Sequence, residues 1–155
     1  MWDDTADMPF EQRFIAHRTV PVGPDSPPLE LEQAPPTLGG TDPLGTACTV
    51  WRGGERLVEL LQSRRELVAG KRIVELGSGT GIAGLACAAL GARAVWLTDV
   101  DDDALALAEH NAELNGLAAA TRVAHFDFMA VGGGEKGGEA GGEMADKLLP
   151  RKVLE

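Results

Sequence analysis

The sequence has few cysteines, few cationic residues and no long apolar run, and each shortage excludes a class of protein. Cys48 and Cys87 are the two cysteines among 155 residues, and they form no metal-binding spacing, redox spacing or disulfide framework. Lys plus Arg number 14 against 24 Asp plus Glu, and the net charge of −10 argues against a nucleic-acid partner. No apolar run approaches the roughly 20 residues that cross a bilayer, and the acidic start lacks a signal-peptide pattern. We therefore expect no membrane partner and a cytoplasmic, or also nuclear, location.

The composition divides the chain into three parts. Residues 1–49 form an irregular N-terminal extension, rich in proline and glycine, that allows only brief strands at residues 20–22 and 29–31. Residues 50–130 carry regular apolar patterns. Residues 131–155 begin with seven glycines in 13 positions, which predicts a flexible linker and a short tail.

The middle part alternates between helical and extended patterns. The predicted elements are a helix over residues 54–68, a buried strand over 71–76, a helix over 80–90, a strand over 94–99, a helix opened by the acids at 101–103 and ending near 114, and a strand over 121–126. Strands and helices at this spacing imply parallel strands. The predicted fold class is α/β: a partial doubly wound, Rossmann-like parallel sheet of three strands with crossover helices, an irregular N-terminal segment and a flexible Gly-rich C-terminal tail.

The most informative segment is Glu75-Leu76-Gly77-Ser78-Gly79-Thr80-Gly81, which joins the first of these three strands to the next helix. Its residues 77–81 are called the glycine loop below. Glycines allow positive φ angles and let the backbone approach a ligand closely. The loop also lies at the strand ends where such sheets bind ligands. A turn that binds no ligand does not require three alternating glycines.

The residues alone are compatible with two different ligands. Residues 79–84 match the dinucleotide pattern G-x-G-x-x-G, and Asp99 follows where that pattern places a ribose-binding acid, so half of a nicotinamide-dependent dehydrogenase is one interpretation. Glu75 and Gly77 extend the motif backwards to acid-x-G-x-G-x-G. A carboxylate there is awkward beside a pyrophosphate but suits a ligand with a cationic end. S-adenosylmethionine, with its ammonium, sulfonium, ribose diol and adenine, has that character.

Residues 45–128 resemble a class I, seven-β-strand methyltransferase, and more narrowly the protein-lysine methyltransferase-like group. The matching segments are Thr49-Val50-Trp51, residues 70–85, Leu97-Thr98-Asp99 and residues 111–115. The resemblance implies S-adenosylmethionine as cofactor and the lysine side chain of a protein substrate as methyl acceptor. A non-catalytic module that binds the cofactor or a protein is the alternative; the oligomeric state is not predicted.

The resemblance also implies which residues bind the cofactor. They are Trp51, Glu75, Gly77, Gly79, Gly81, Asp99, Asp127 and Phe128. Glu75 and the glycines would line the methionine and ribose, Asp99 would accept from both ribose hydroxyls, and Asp127 from the adenine amino group. Trp51 would lie near the methionine end, where an aromatic face favours a cation. Phe128 replaces the tryptophan common in the family. No catalytic base and no metal site is identified.

The family's sheet continues past its third strand, and its fourth strand normally carries an acidic-x-x-Tyr type motif on the acceptor side. Nothing after Phe128 matches that motif. We therefore expect a truncated form that lacks the acceptor half and is weakly active or inactive alone. Trp96, in the middle of a strand, is expected in the core.

Overall fold

The computed structural model describes residues 16–24, 26–34 and 46–128. Their elements, in chain order, are β1 (His17–Val20), β2 (Leu29–Glu32), α1 (Arg52–Ser63), a short 3-10 helix (Arg65–Leu67), β3 (Arg72–Leu76), α2 (Ile82–Ala89), β4 (Ala94–Asp99), α3 (Asp102–Leu114) and β5 (Thr121–His125). The predicted Gly-rich tail lies outside the described residues. Among those described, no helix is long and apolar enough to cross a membrane.

β3, β4 and β5 form a parallel sheet in that order. Glu75 lies beside Leu97, and Leu97 lies beside Val123. The α/β class and the parallel pairing are confirmed, and β4 has the predicted bounds. β3 begins one residue later than predicted, and β5 ends one residue earlier, at His125.

α1 begins two residues before the predicted start, α2 spans Ile82–Ala89 instead of residues 80–90, and the largest difference is at the end of α1. The predicted helix over residues 54–68 is wrong in its last part, because Arg64 leaves the helical region (φ −129°, ψ 47°) and a separate 3-10 turn follows. α3 begins as predicted: the Asp101 carboxylate accepts a hydrogen bond from the backbone N–H of Ala104 at 2.8 Å. That contact satisfies one of the backbone donors that a helix start leaves unpaired.

Only one face of the sheet is covered within the described part of the chain. α2 and α3 pack against the face that carries Val95 and Leu97, both fully buried. Side chains alternate along a strand, so Val74, Leu76 and Trp96 lie on the other face. Val74 is 40% exposed and Leu76 53% exposed. The predictions of a buried β3 and of a core Trp96, which is half-buried, are therefore wrong.

The N-terminal hairpin, formed by β1 and β2, belongs to the same hydrophobic core. The two strands pair antiparallel, with His17 opposite Glu32. The side chains of Val22 and Leu31 are fully buried in the cluster that also contains Leu97. β1 lies earlier than the predicted residues 20–22 because proline, here Pro21, lacks the N–H that a strand interior needs. The division of the chain at residue 49 stays a prediction.

Candidate functional site

A cavity of about 280 Å³ opens at the carboxyl ends of β3 and β4. Open α/β sheets bind their ligands at this edge. The lining residues come from the segment before α1, from α1 itself, from the glycine loop and α2, and from the ends of β3 and β4. They are Thr46, Ala47, Thr49, Trp51, Gly53, Gly54, Leu57, Glu75, Gly77, Ser78, Gly79, Thr80, Ile82, Ala83 and Asp99.

The glycine loop approaches the segment before α1 too closely for side chains. Gly79 has a φ of +52°, and a Cβ placed on it would lie 2.6 Å from the carbonyl oxygen of Ala47. Trp51 is fixed to the same segment, because its indole N–H donates to the carbonyl of Thr46 at 2.7 Å. The loop and the residues before α1 therefore meet at the wall of the cavity.

The Asp99 carboxylate connects the end of β4 to the glycine loop. Its Oδ2 accepts from the backbone N–H of Gly79 at 2.8 Å. Its Oδ1 accepts from the N–H groups of Val100 at 2.8 Å and Asp101 at 3.2 Å. A carboxylate offers about four acceptor positions, so about one is left for a ligand hydroxyl. Asp99 is 8% exposed, and these bonds fix the orientation of its side chain.

Glu75 lies between the end of β3 and the first turn of α2. Its Oε2 accepts from the backbone N–H of Gly84, the third residue of α2, at 2.8 Å. A Cβ on Gly84 would lie 2.7 Å from that oxygen and 2.2 Å from Leu97 Cδ2, so only glycine fits. Burial raises the pKa of Glu75 to about 7; the Gly84 N–H opposes the rise and the negative charge of Asp99 adds to it.

Ser78 places a buried polar atom in the loop. Its backbone N–H donates to the carbonyl of Thr98 at 2.8 Å, but among the described residues its hydroxyl oxygen has no hydrogen-bond partner. Buried hydroxyls normally have one, so an unpartnered one beside a cavity fits a site that receives a polar ligand.

Comparison with known proteins identifies the family. Residues 38–130 match the sequence profile of the family described as lysine methyltransferase. The chain belongs to this lysine methyltransferase family. The matched region contains the glycine loop, Asp99 and every residue that lines the cavity.

Individual relatives of this lysine methyltransferase family member match over different lengths of the chain. Methyltransferase-like protein 22 of Mus musculus is 42% identical over 72 residues, which are 46% of this chain and 18% of that protein. The ribosomal protein L11 methyltransferase of Teredinibacter turnerae is 32% identical over 108 residues, 70% of this chain and 32% of that protein. The solved ribosomal protein L11 methylase of Lactobacillus delbrueckii subsp. bulgaricus is 29% identical, with a TM-score of 0.42, over 49% of this chain and 40% of that one. The chain thus spans less than a third of the two curated relatives' length.

The structure brings five of the eight predicted site residues to the cavity wall. They are Trp51, Glu75, Gly77, Gly79 and Asp99. Gly81 faces the core instead, where a Cβ would meet Leu97, Ala108 and Leu85 at 3.3–3.5 Å.

Asp127 and Phe128 do not line the cavity. They follow β5 and are exposed, next to Phe126, whose N–H donates to the Asp99 carbonyl at 2.9 Å. They therefore lie at the same edge of the sheet. The cofactor-binding roles of all eight residues stay predictions.

α1 also contributes to the cavity, which the sequence pattern did not predict. Gly53, Gly54 and Leu57 line it, and a Cβ on Gly54 would lie 2.9 Å from a methyl carbon of Ile82. Two adjacent glycines in the first turn of an amphipathic helix lower its helix propensity, and this was the available signal of a close approach. Within the described ranges, no group of three or more His, Cys, Asp or Glu could hold a metal ion.

Proposed function

We propose that this chain binds S-adenosylmethionine in the cavity and forms the cofactor-binding part of an enzyme that methylates lysine side chains of a protein. The observation that carries the proposal is the contact between Asp99 and Gly79, because it joins the acid that we assign to the ribose to the glycine loop at the cavity wall. Membership of the lysine methyltransferase family supports the acceptor class.

The charges around the cavity favour a cationic cofactor over a dinucleotide. Among the described residues that line it, Glu75 and Asp99 are acidic, and none is Lys, Arg or His. A pyrophosphate would meet two carboxylates there, while an ammonium and a sulfonium would meet complementary charge. The Gly84 N–H, which a phosphate at the start of α2 could use, already donates to Glu75. The residues present therefore fit S-adenosylmethionine.

The cofactor, when bound, supplies a methyl group activated by its sulfonium. The chain's own contribution is to bind and orient. Asp99 has an acceptor position for a ribose hydroxyl, Glu75 offers negative charge to an ammonium, and the exposed face of Trp51 is available to a cation at the cavity wall. Holding the donor in one orientation removes much of the entropic part of the barrier to an in-line displacement. The lysine acceptor must lose its proton first, and a desolvated approach lowers its pKa.

Calorimetry with S-adenosylhomocysteine and, separately, NAD tests the cofactor. We expect the chain to bind the first and not the second. Asp99→Asn should weaken binding by about 1–3 kcal/mol, because a charged acceptor is lost. Asp103→Asn is the matched control, since Asp103 is an exposed acid in the first turn of α3. Binding of NAD alone, or equal effects of the two substitutions, would contradict the proposal.

Methyl transfer to lysine is tested with radiolabelled S-adenosylmethionine and two samples of one cell extract. In one sample the protein lysines are acetylated chemically; in the other they are left free. We expect at most weak incorporation by this chain alone, and only in the untreated sample. Equal incorporation into both would exclude lysine as the acceptor, and incorporation into neither would confine the chain's own role to binding the cofactor.

A further inference from the structure

Two asparagines of α3 pair with the backbone of the N-terminal hairpin. Asn111 Oδ1 accepts from the N–H of Glu32 at 2.8 Å, and its Nδ2 donates to the carbonyl of the same residue at 3.1 Å. Asn115 pairs in the same way with Glu30, at 2.8 and 2.7 Å. Four residues of a helix rise about 6 Å, close to the spacing of alternate residues in a strand. The two amides therefore take the place of a neighbouring strand along β2.

Asn111 has an additional contact that Asn115 lacks. Its Nδ2 also donates to the carbonyl of Thr80, in the glycine loop, at 3.0 Å. The corresponding second bond of Asn115 goes to the carbonyl of Asn111 within α3, at 2.7 Å. Asn111 is fully buried, and Thr80 is 1% exposed. One side chain thus joins the hairpin, α3 and the loop.

The Thr80 carbonyl needs this partner because α2 does not supply one. α2 begins at Ile82 with Gly81 as its N-cap, so the Thr80 carbonyl precedes the helix and takes no part in its hydrogen bonds. The Gly84 N–H, one of the donors that a helix start leaves unpaired, donates to Glu75. Side chains from β3 and α3 therefore hold the two sides of the junction between the glycine loop and α2.

We propose that Asn111 is a positioning residue for the glycine loop. Its amide links the Thr80 carbonyl to the backbone of Glu32, so that the N-terminal hairpin and the loop are ordered together. This inference rests on the proposed function, because the loop is taken to bind the cofactor. Asp99 holds the N–H of Gly79 and Asn111 holds the carbonyl of Thr80, so adjacent residues of the loop are fixed from two elements.

Two variants of the full chain separate positioning from general stability. Asn111→Leu and Asn115→Leu each remove the same pair of hydrogen bonds to β2, but only the first removes the contact with Thr80. We expect Asn111→Leu to weaken binding of S-adenosylhomocysteine about tenfold and Asn115→Leu to change it less than about twofold. Equal effects, or no effect of Asn111→Leu, would overturn the proposal.

A measurement on the unaltered chain tests the linkage between the hairpin and the glycine loop even if Asn111→Leu does not fold. Amide hydrogen exchange by NMR follows the N–H groups of Glu32 and Glu30 with and without S-adenosylhomocysteine. Ligand binding should slow exchange at Glu32 about tenfold and leave Glu30 nearly unchanged. Equal protection of both, or none at Glu32, would overturn the linkage while leaving the proposed function intact. A chain that binds no S-adenosylhomocysteine would instead overturn both.

Discussion

The raised pKa of Glu75 predicts that replacing it with glutamine changes how stability depends on pH. Burial moves this pKa from 4.5 to about 7. Between these values the folded chain keeps a proton that the unfolded chain loses. This bound proton adds to the free energy of unfolding. The contribution is fully present below pH 4.5 and is lost as the pH rises through about 7. At 1.36 kcal/mol per pKa unit the loss is on the order of 3 kcal/mol, an upper bound for a half-buried side chain.

Urea unfolding of the wild type and of Glu75→Gln between pH 4.5 and 8 measures this effect. Glutamine keeps an oxygen that can accept from the Gly84 N–H, so the helix contact survives while the titration disappears. The free energy of unfolding of the wild type, relative to the variant, should therefore fall by up to about 3 kcal/mol across this range. Curves that stay parallel from pH 4.5 to 8 would refute the reasoning.

The same titration should appear in cofactor binding. A cationic ligand beside Glu75 favours its ionised form, so binding of S-adenosylmethionine near pH 6.5 should release a proton. Calorimetry in two buffers with different ionisation enthalpies reports the number of protons released, and Glu75→Gln should release none by this route. Proton uptake by the wild type, or an identical release by the variant, would contradict a cation at this position.

Two stability predictions follow from the cavity wall and the packing behind it. Gly84→Ala should destabilise the fold by about 1–3 kcal/mol in urea unfolding, because its Cβ would overlap Leu97. Gly53→Ala is the control, because Gly53 is also in a helix but has nothing within 4 Å of the added carbon. It should stabilise the fold by about 0.5–1 kcal/mol. Similar losses of stability at both sites would refute the packing argument. Ser78→Ala should leave the melting temperature unchanged or raise it, since its hydroxyl has no partner among the described residues. Thr98→Val removes a 2.6 Å hydrogen bond to the Glu75 carbonyl and should lower the melting temperature. A larger fall in melting temperature for Ser78→Ala than for Thr98→Val would show that the serine hydroxyl is paired.

The features that the sequence predicted correctly depend on neighbouring residues. β4 is a short apolar run between turn residues, and α3 begins at an acid whose side chain reaches a backbone N–H three residues ahead. The sequence also accounts for the approach of Asp99 to the glycine loop, because the loop follows β3, Asp99 ends β4, and the ends of neighbouring parallel strands meet at one edge.

Tertiary structure decided which surfaces are covered and which distant groups meet. A period of two shows that Trp96 and Leu97 lie on opposite faces of the sheet, but only packing shows that helices cover one face in the described residues. The sequence by itself thus determined the approximate helices and strands of residues 50–126, the parallel direction of the strands and the loop motif. The pairing of Asn111 with Glu32, 79 residues apart, depends on the position of the hairpin in three dimensions. A helical asparagine has the same local pattern whether its amide faces solvent or the backbone of a distant strand, because hydrogen-bond partners far apart in sequence leave no local periodicity.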